Sequence, residues 1–448
     1  MAKWSLLRRW RILYERFQQR NSPQVNLVFG FGLYALIGTL LLLLPIFHKS
    51  SVSLLDHLFI AISAVSTTGL VTVSVFDTYN FVGQFIMMAL FQLGGIGYMT
   101  LTTYFLLFTT QRITRWHSRL IGTEFTLPES IKINDFIRSV ILFTVVMEIL
   151  GTFGFFWVFR DAGMAFGERL WFSLFHSVSA FCTAGFSLFN DGFAGFRDDG
   201  GANAVISVLA IAGSLGFIVI TDLWYRLSGK SKELTFTTKI VVVGFILLLS
   251  LGTMVFYATD PLFASGEGSW MAAFFQAMTT VGFNTVDTGA LALPALLLVT
   301  FLMYVGASPS GTAGGMKITT LTAMVAVLKS RLLGQKKITF LWRTIPFERL
   351  YVATSTFMLY TSMIFLFTFL LSYTETFAFE EILFEVASAL GTVGLSTGIT
   401  GDLSSWGKVL ISILMFIGRV GVLTFGFAIL ERTQRKEEEE FQDCDLAV

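Results

Sequence analysis

Charge is scarce in this sequence. Only 14% of its 448 residues are Asp, Glu, Lys or Arg, whereas 54% are hydrophobic. A soluble chain of that size cannot hide so much apolar surface, which leaves a polytopic helical membrane protein. Cysteine is nearly absent: Cys182 lies in an apolar segment and Cys444 in the polar C-terminal tail. Two thiols in such different surroundings form neither a disulfide framework nor a metal motif. The four histidines, His48, His57, His117 and His176, are scattered and make no metal or acid–base cluster. A membrane-embedded enzyme would need a nucleophile, base or metal ligands gathered at one depth, and no such cluster occurs. There is no phosphate loop and no dinucleotide fold, and the formal net charge of +1 offers nothing to nucleic acid. Residues 1–20 are basic throughout without an apolar h-region, so no cleavable signal peptide is evident. The first apolar segment is expected to serve as an uncleaved insertion signal.

What the chain does hold is apolar length, with 48 phenylalanines. Apolar segments near 25–47, 81–109, 136–159, 203–225, 238–259, 293–328, 350–373 and 406–430 are each long enough to cross a bilayer, which takes roughly 20 residues. Between successive pairs lie shorter ones, near 54–67, 168–182, 268–280 and 378–391, of the length expected for re-entrant half-helices. The fold class read from this pattern is all-α: eight spans and four half-helices in four units. The units run 25–109, 136–225, 238–328 and 350–430, between a basic N-terminus (1–24) and a tail (431–448). Lys and Arg number 24 on the side of the termini and five on the other, which predicts cytoplasmic N- and C-termini. The N-terminal stretch interleaves Leu6, Trp10, Leu13 and Phe17 with arginines and suits an anionic inner leaflet or a cytoplasmic partner. The "KEEEE" run of the tail reads as a solvated end.

The half-helices end alike, in "STTGL" (66–70), "CTAGF" (182–186), "TTVGF" (279–283) and "GTVGL" (391–395). The shared element is a Thr-x-Gly triplet: Thr67, Thr68, Gly69; Thr183, Ala184, Gly185; Thr280, Val281, Gly282; Thr392, Val393, Gly394. An alanine precedes each glycine by five residues (Ala64, Ala180, Ala277, Ala389), and 24–28 residues beyond each the next apolar segment carries Gly94, Gly213, Gly306 or Gly418. Repetition in one membrane sense means parallel repeats about an axis along the membrane normal. One glycine-ended helix is an ordinary C-cap. Four at matched positions ask for more, and a purely structural scaffold would not need them. A half-helix that stops inside the membrane leaves carbonyls that lipid cannot satisfy, unless they line a water-filled pathway. Four such stops around one axis form a carbonyl ring able to replace the hydration shell of a small cation. The helices' partially negative C-terminal ends favour the same charge.

With "QLGGIGYMT" (92–100), "VGASPSGTAGGMKITT" (305–320) and "FIGRVGVLTF" (416–425), these motifs make the chain resemble the membrane subunit of the Ktr/Trk/HKT potassium-uptake superfamily, from about Val25 to Leu430. In length it is most similar to the Ktr-type subunit. The resemblance implies a selectivity filter built on Gly69, Gly185, Gly282 and Gly394. Glycine at all four positions goes with potassium in that family, and serine at the first with sodium; sodium or mixed transport on the same fold is the alternative. The family pattern has asparagine where Thr183 stands. Also implied are potassium uptake across a bacterial plasma (inner) membrane with or without sodium as an activating ion, and no cofactor in the chain. The implied assembly is a homodimer on a cytoplasmic ring of nucleotide-binding (RCK-type) regulatory subunits.

Residues 306–317, "GASPSGTAGGMK", interrupt what would otherwise be one very long apolar helix. Small residues and Pro309 break it, and such a break inside a membrane is buried in protein or borders a cavity. The resemblance implies that Gly306, Ala307, Ser308, Pro309, Ser310, Gly311, Thr312, Ala313, Gly314, Gly315 and Lys317 form an intramembrane gate loop below the filter, with Arg419 beside it. A charge in mid-membrane costs about 2.5–3.5 kcal/mol on insertion scales, so Arg419 is expected to face a cavity, a cation pathway or the freed loop carbonyls. Glu148, His176, Asp222 and Glu385 are intramembrane polar residues with no expected role as ion ligands.

Overall fold

The computed structural model describes residues 21–97, 100, 103–104, 131–259, 269–278 and 282–430. Four long helices frame it: α1 (Pro23–Leu42), α4 (Ile133–Val158), α8 (Phe236–Thr259) and α12 (Phe347–Thr374). Each is apolar and long enough for a crossing, and only 22–39% of their most apolar windows is buried, so these helices are the lipid-facing rim. Their outward residues include Phe153, Phe365 and Phe369, all about 70% exposed. Hydrophobic exposure of this kind suits a surface covered by lipid or by another membrane protein.

Each long helix is followed by a short one: α2 (Leu54–Val65), α5 (Phe166–Phe181), α9 (Trp270–Ala277) and α13 (Phe379–Gly391). Side chains fix where two of them start: Ser53 Oγ accepts the Asp56 N–H at 3.1 Å and Ser269 Oγ that of Ala272 at 3.1 Å. Along their C-terminal halves they are buried on every side, as in the unbroken runs Ser63–Val65 and Val386–Gly391. Helix ends buried on this scale, buried serines included, belong in the centre of the protein.

After the short helix comes a further apolar helix, and in the second, third and fourth units it is broken. α3 (Phe81–Ile96) stops at Gly97, α6 (Gly200–Ser214) turns 90° into α7 (Phe217–Leu227), and α14 (Ser405–Val420) turns 98° into α15 (Val422–Leu430). In the third unit α10 (Leu293–Tyr304) is separated from α11 (Ile318–Leu332) by the 305–317 loop. The sequence reading expected that last break but took 203–225 and 406–430 as continuous spans; the structure corrects this. The two bends sit on Gly216 and Gly421, with φ of +84° and +94°, and Gly97, which ends α3, also has φ +84°, angles that side chains with a Cβ rarely adopt. All three lie three residues after the small residue already noted, and Pro309 holds the matching place in the third unit. By length and composition the described helices give four crossings, or six if each bent pair is one.

The units close on themselves. α3 packs against α5, α6 against α9, α10 against α13, and α14 returns to α2. The first and last units are not consecutive in the chain, and a salt bridge joins them: Lys408 Nζ lies 2.8 Å from Asp56 Oδ1, with both side chains mostly buried. Close approach in this ring depends on the small residues. A Cβ on Gly94, Gly213 or Gly418 would strike the Val65, Phe181 or Leu390 carbonyl at the C-terminal end of the half-helix in its own unit. Between α11 and α12 lies the two-stranded hairpin β1 (Thr339–Phe340) and β2 (Arg343–Thr344). The expected N-terminal amphipathic face, the tail with Cys444 and the residues Thr280 and Val281 lie outside the described residues.

Candidate ion pathway

The half-helix ends share one geometry. Thr67, Thr183 and Thr392 have φ of +53°, +50° and +48°, left-handed values that a β-branched residue resists by about 1–3 kcal/mol. Their N–H groups bond the carbonyls of Ala64, Ala180 and Ala389 at 3.0–3.1 Å, so the repeated alanine marks the helix turn that each threonine terminates. The next residues, Thr68, Ala184 and Val393, donate to Ser63, Ser179 and Ser388 carbonyls at 2.8–2.9 Å. Gly69, Gly185, Gly282 and Gly394 follow, all with positive φ, between +67° and +94°.

The four glycines meet around a centre. A Cβ on Gly69 would strike the Ala184 carbonyl, and one on Gly185 would lie 3.0 Å from Gly282. One on Gly282 would strike the Val393 carbonyl, and one on Gly394 the Thr68 carbonyl. Each unit thus abuts the next, in cyclic order, with no space for a side chain. On one side the four glycines line a cavity of about 350 Å3, together with Ser74, Asn190, Asp191, Asn284 and Thr400. Its polar wall suits a hydrated cation.

The supports behind this ring were missed in the sequence. Ser63 Oγ accepts the Gly69 N–H and Ser388 Oγ the Gly394 N–H, both at 3.1 Å, while Ser179 Oγ donates to the Phe186 carbonyl at 2.8 Å. Serine six residues before the glycine in three units of four was the available signal; Gln276 stands there in the third. Ser63→Ala would leave the Gly69 N–H buried and unpaired, a penalty of about 1–3 kcal/mol. We expect the variant to fold, to keep transporting, and to discriminate less between cations in a competition flux assay. Ser179→Ala, whose hydroxyl holds no filter N–H, should discriminate more like the parent.

His176 and Glu385, each nine residues before its glycine, brace the segments beyond the ring. His176 Nε2 lies 3.1 Å from both Ser187 Oγ and the Leu188 N–H; Glu385 accepts from Ser396 Oγ at 2.8 Å and Thr400 Oγ at 2.5 Å. Glu148 accepts from Gln92 Nε2 at 2.6 Å, and Gln92 also accepts from the Cys182 thiol at 3.1 Å. Asp222 accepts the Thr235 N–H at 2.7 Å, tying down the connection that follows it.

The 306–315 loop lies on the other side of the glycine ring, held by the threonine hydroxyls. Thr67 Oγ donates to the Thr312 carbonyl at 3.2 Å, Thr183 Oγ lies 3.1 Å from Thr312 Oγ, and Thr392 Oγ accepts the Gly314 N–H at 2.9 Å. These contacts explain threonine at the strained positions: its hydroxyl reaches the loop. The loop is also knitted into the α6–α7 break. Ser308 and Thr312 donate to the Ser214 and Gly213 carbonyls, and Ser310 receives the Phe217 and Ile218 N–H groups at 3.0–3.2 Å. Ser308 and Pro309 pass so near Gly216 that a Cβ there would collide with the Pro309 carbonyl and Ser308 Oγ. Gly306 and Gly315 lie back to back where the loop leaves and returns, and the Ala307 carbonyl accepts the Ile318 N–H at 3.1 Å.

Both predicted cations are here. Arg419 forks between units, donating from one guanidinium nitrogen to the Thr312 carbonyl and Thr67 Oγ and from the other to the Gly94 and Gly95 carbonyls. Lys317 Nζ donates to the Ala313 and Gly314 carbonyls at 2.8 and 3.3 Å. Freed carbonyls therefore accept from both side chains beneath the ring.

The TrkH family profile, described as "Cation transport protein", matches residues 19–438. The potassium/sodium uptake protein NtpJ of Enterococcus hirae is 34% identical over 442 residues, covering 95% of this chain and 97% of its own. The Ktr system potassium uptake protein B of Vibrio alginolyticus is 33% identical over 425 residues, 91% of each chain. Among solved structures, the potassium transporter TrkH from Vibrio parahaemolyticus superposes with a TM-score of 0.74 over 93% of this chain and 86% of that one, at 19% identity, a likeness of fold. Fold and sequence agree: the chain is an integral membrane protein of the TrkH family of cation transport proteins.

Proposed function

We propose that this chain takes up potassium through one pore per chain, along the axis of its four units. The observation that carries this reading is the ring of Gly69, Gly185, Gly282 and Gly394, open to a polar cavity on one side and stoppered on the other. The triplets around these glycines, including Thr68, Ala184, Thr280, Val281 and Val393, coordinate the dehydrated ion through their carbonyls. The whole would comprise eight crossings in four parallel repeats, with both termini in the cytoplasm of a bacterial cell. Residues 306–317 form the gate: while Thr312 and Gly314 remain bonded to three filter threonines, a cation has no way through. Opening requires those bonds to break, and a cytoplasmic nucleotide-binding ring acting on a homodimer is the proposed source of the force.

A second reading admits sodium, alone or beside potassium. Its support is the name of a relative 34% identical, a potassium/sodium uptake protein. Glycine at position 69 favours potassium.

The test is rubidium-86 uptake into cells lacking their own potassium importers, with and without a co-expressed ring subunit and with excess sodium. We expect uptake that sodium does not replace. Membrane-inserted protein giving no uptake in either setting would end the transport reading; equal sodium uptake would keep the pore and transfer the conclusion to the second reading.

A further inference from the structure

The hairpin between α11 and α12 carries an anomaly. Thr339 pairs with Thr344 and Phe340 with Arg343, which leaves Leu341 and Trp342 as a two-residue turn. Both have positive φ, +44° and +65°, the signature of a type I′ turn. Asn-Gly adopts that turn without strain, whereas this chain places two bulky apolar residues there. The turn also leaves both in the open: Trp342 is 102% exposed and Leu341 55%. A strained, exposed, apolar tip has no folding rationale, and such an outlier points to a contact outside the chain.

Its surroundings identify the contact. The hairpin is fastened to the protein: Ile338 and Ile345 pack on Ala323, Leu350 and Ala353, and the Thr339 N–H donates to Ser330 Oγ at 3.2 Å. It lies at the level where two crossings begin. The Arg343 guanidinium stands 5.5 Å over the ring of Phe236, the first residue of α8, and α12 starts at Phe347. Three residues of chain reach about 10 Å, so the hairpin lies close to the ends of two helices long and apolar enough to cross a bilayer. From 318 to 347 the chain has no Asp or Glu, while Lys329, Arg331, Lys336, Lys337 and Arg343 are all exposed. Leu332 and Leu333, 77% and 61% exposed, end α11 beside them. Tryptophan with leucine beside five exposed basic residues is the chemistry of an anionic membrane surface.

The geometry points to the 339–344 hairpin as an anionic-lipid anchor, with Leu341 and Trp342 seated among acyl chains and Lys336, Lys337 and Arg343 on phospholipid headgroups. The anchor fixes one end of α11, whose other end is the 306–317 loop. The assignment rests on the chain being embedded in a bilayer through α8 and α12, not on which ion passes the filter.

The test is tryptophan quenching in the full chain, reconstituted in mixed vesicles in which either the phosphatidylglycerol or the phosphatidylcholine carries bromine on its acyl chains. The Leu341→Asn/Trp342→Gly variant, which suits the turn better than the parent and should fold at least as well, gives the emission to subtract. We expect the Trp342 emission to fall about two-fold or more with brominated phosphatidylglycerol and clearly less with brominated phosphatidylcholine. Lys336→Gln/Lys337→Gln/Arg343→Gln should abolish the difference between the lipids. Absence of quenching by either lipid would put the tip in water, free for a soluble protein, and overturn the proposal. Equal quenching by both in the parent would also overturn it, leaving an apolar seat without headgroup recognition. Neither outcome depends on transport.

Discussion

Serine at position 69 is expected to reduce the preference for potassium over sodium by about five- to a hundred-fold, because crowding of a packed site costs about 1–3 kcal/mol and each 1.4 kcal/mol is a factor of ten. Two effects combine. Gly69 holds φ +94°, where an L side chain is strained, and its Cβ would be driven into the Ala184 carbonyl and to 3.0 Å from Gly185 Cα. The added atom therefore displaces the proposed ion-coordinating backbone of a different unit. Gly185, Gly282 and Gly394 face their neighbours in the same way, so serine at any of them should act alike. Gly163→Ser separates strain from crowding, since Gly163 also has positive φ (+69°) but nothing within 4 Å of its would-be Cβ. Reversal potentials or competitive rubidium and sodium uptake would measure the change. Unaltered selectivity in Gly69→Ser and Gly185→Ser, with normal uptake, would show that the glycine ring is not the filter.

Arg419→Gln should raise transport in the absence of any activating partner by about ten-fold or more. Arg419 donates to the Thr312 carbonyl of the loop and to Thr67 at the base of the ring. A second positive charge about 6–8 Å away, at an effective dielectric of 20, meets a repulsion of about 2–3 kcal/mol. Glutamine removes that repulsion and loosens the loop, yet keeps a donor for part of the carbonyl set. Arg419→Lys retains the charge but not the fork, and a lysine cannot reach carbonyls from two units at once as a planar guanidinium does. It should transport near the parental rate if the field dominates, and near the glutamine rate if the fork's hold on the loop dominates. Single-turnover flux in vesicles distinguishes these cases. Flux unchanged in both variants would remove Arg419 from the gate and leave it a structural tie between units.

The legibility of this site followed the range of the interactions involved. Composition and run length were enough for membrane class and for the short helices, because burial in lipid is a property of each segment by itself. Four Thr-x-Gly triplets could be read together because the units repeat, so that each position was seen several times, whereas the gate reading of 306–317, which occurs once, came from the family resemblance. The serines behind Gly69 and Gly394 repeat too, but serine is common in membrane helices and its hydroxyl has no role until a particular N–H faces it. The bends at Gly216 and Gly421 were taken as straight spans, since glycine is ordinary in such helices and hydropathy continues through the turn.

By itself the sequence determined the apolar segments, their fourfold repetition, the helix-ending glycines and the two cations in mid-membrane. Which unit touches which was decided only in three dimensions. The cyclic abutment of the glycines, the salt bridge from Asp56 to Lys408, the hold of Thr67, Thr183 and Thr392 on the loop, and the fork of Arg419 all join residues dozens to hundreds of positions apart. Hydropathy and local backbone preference act over a few residues, whereas these contacts exist only once the chain has closed its ring.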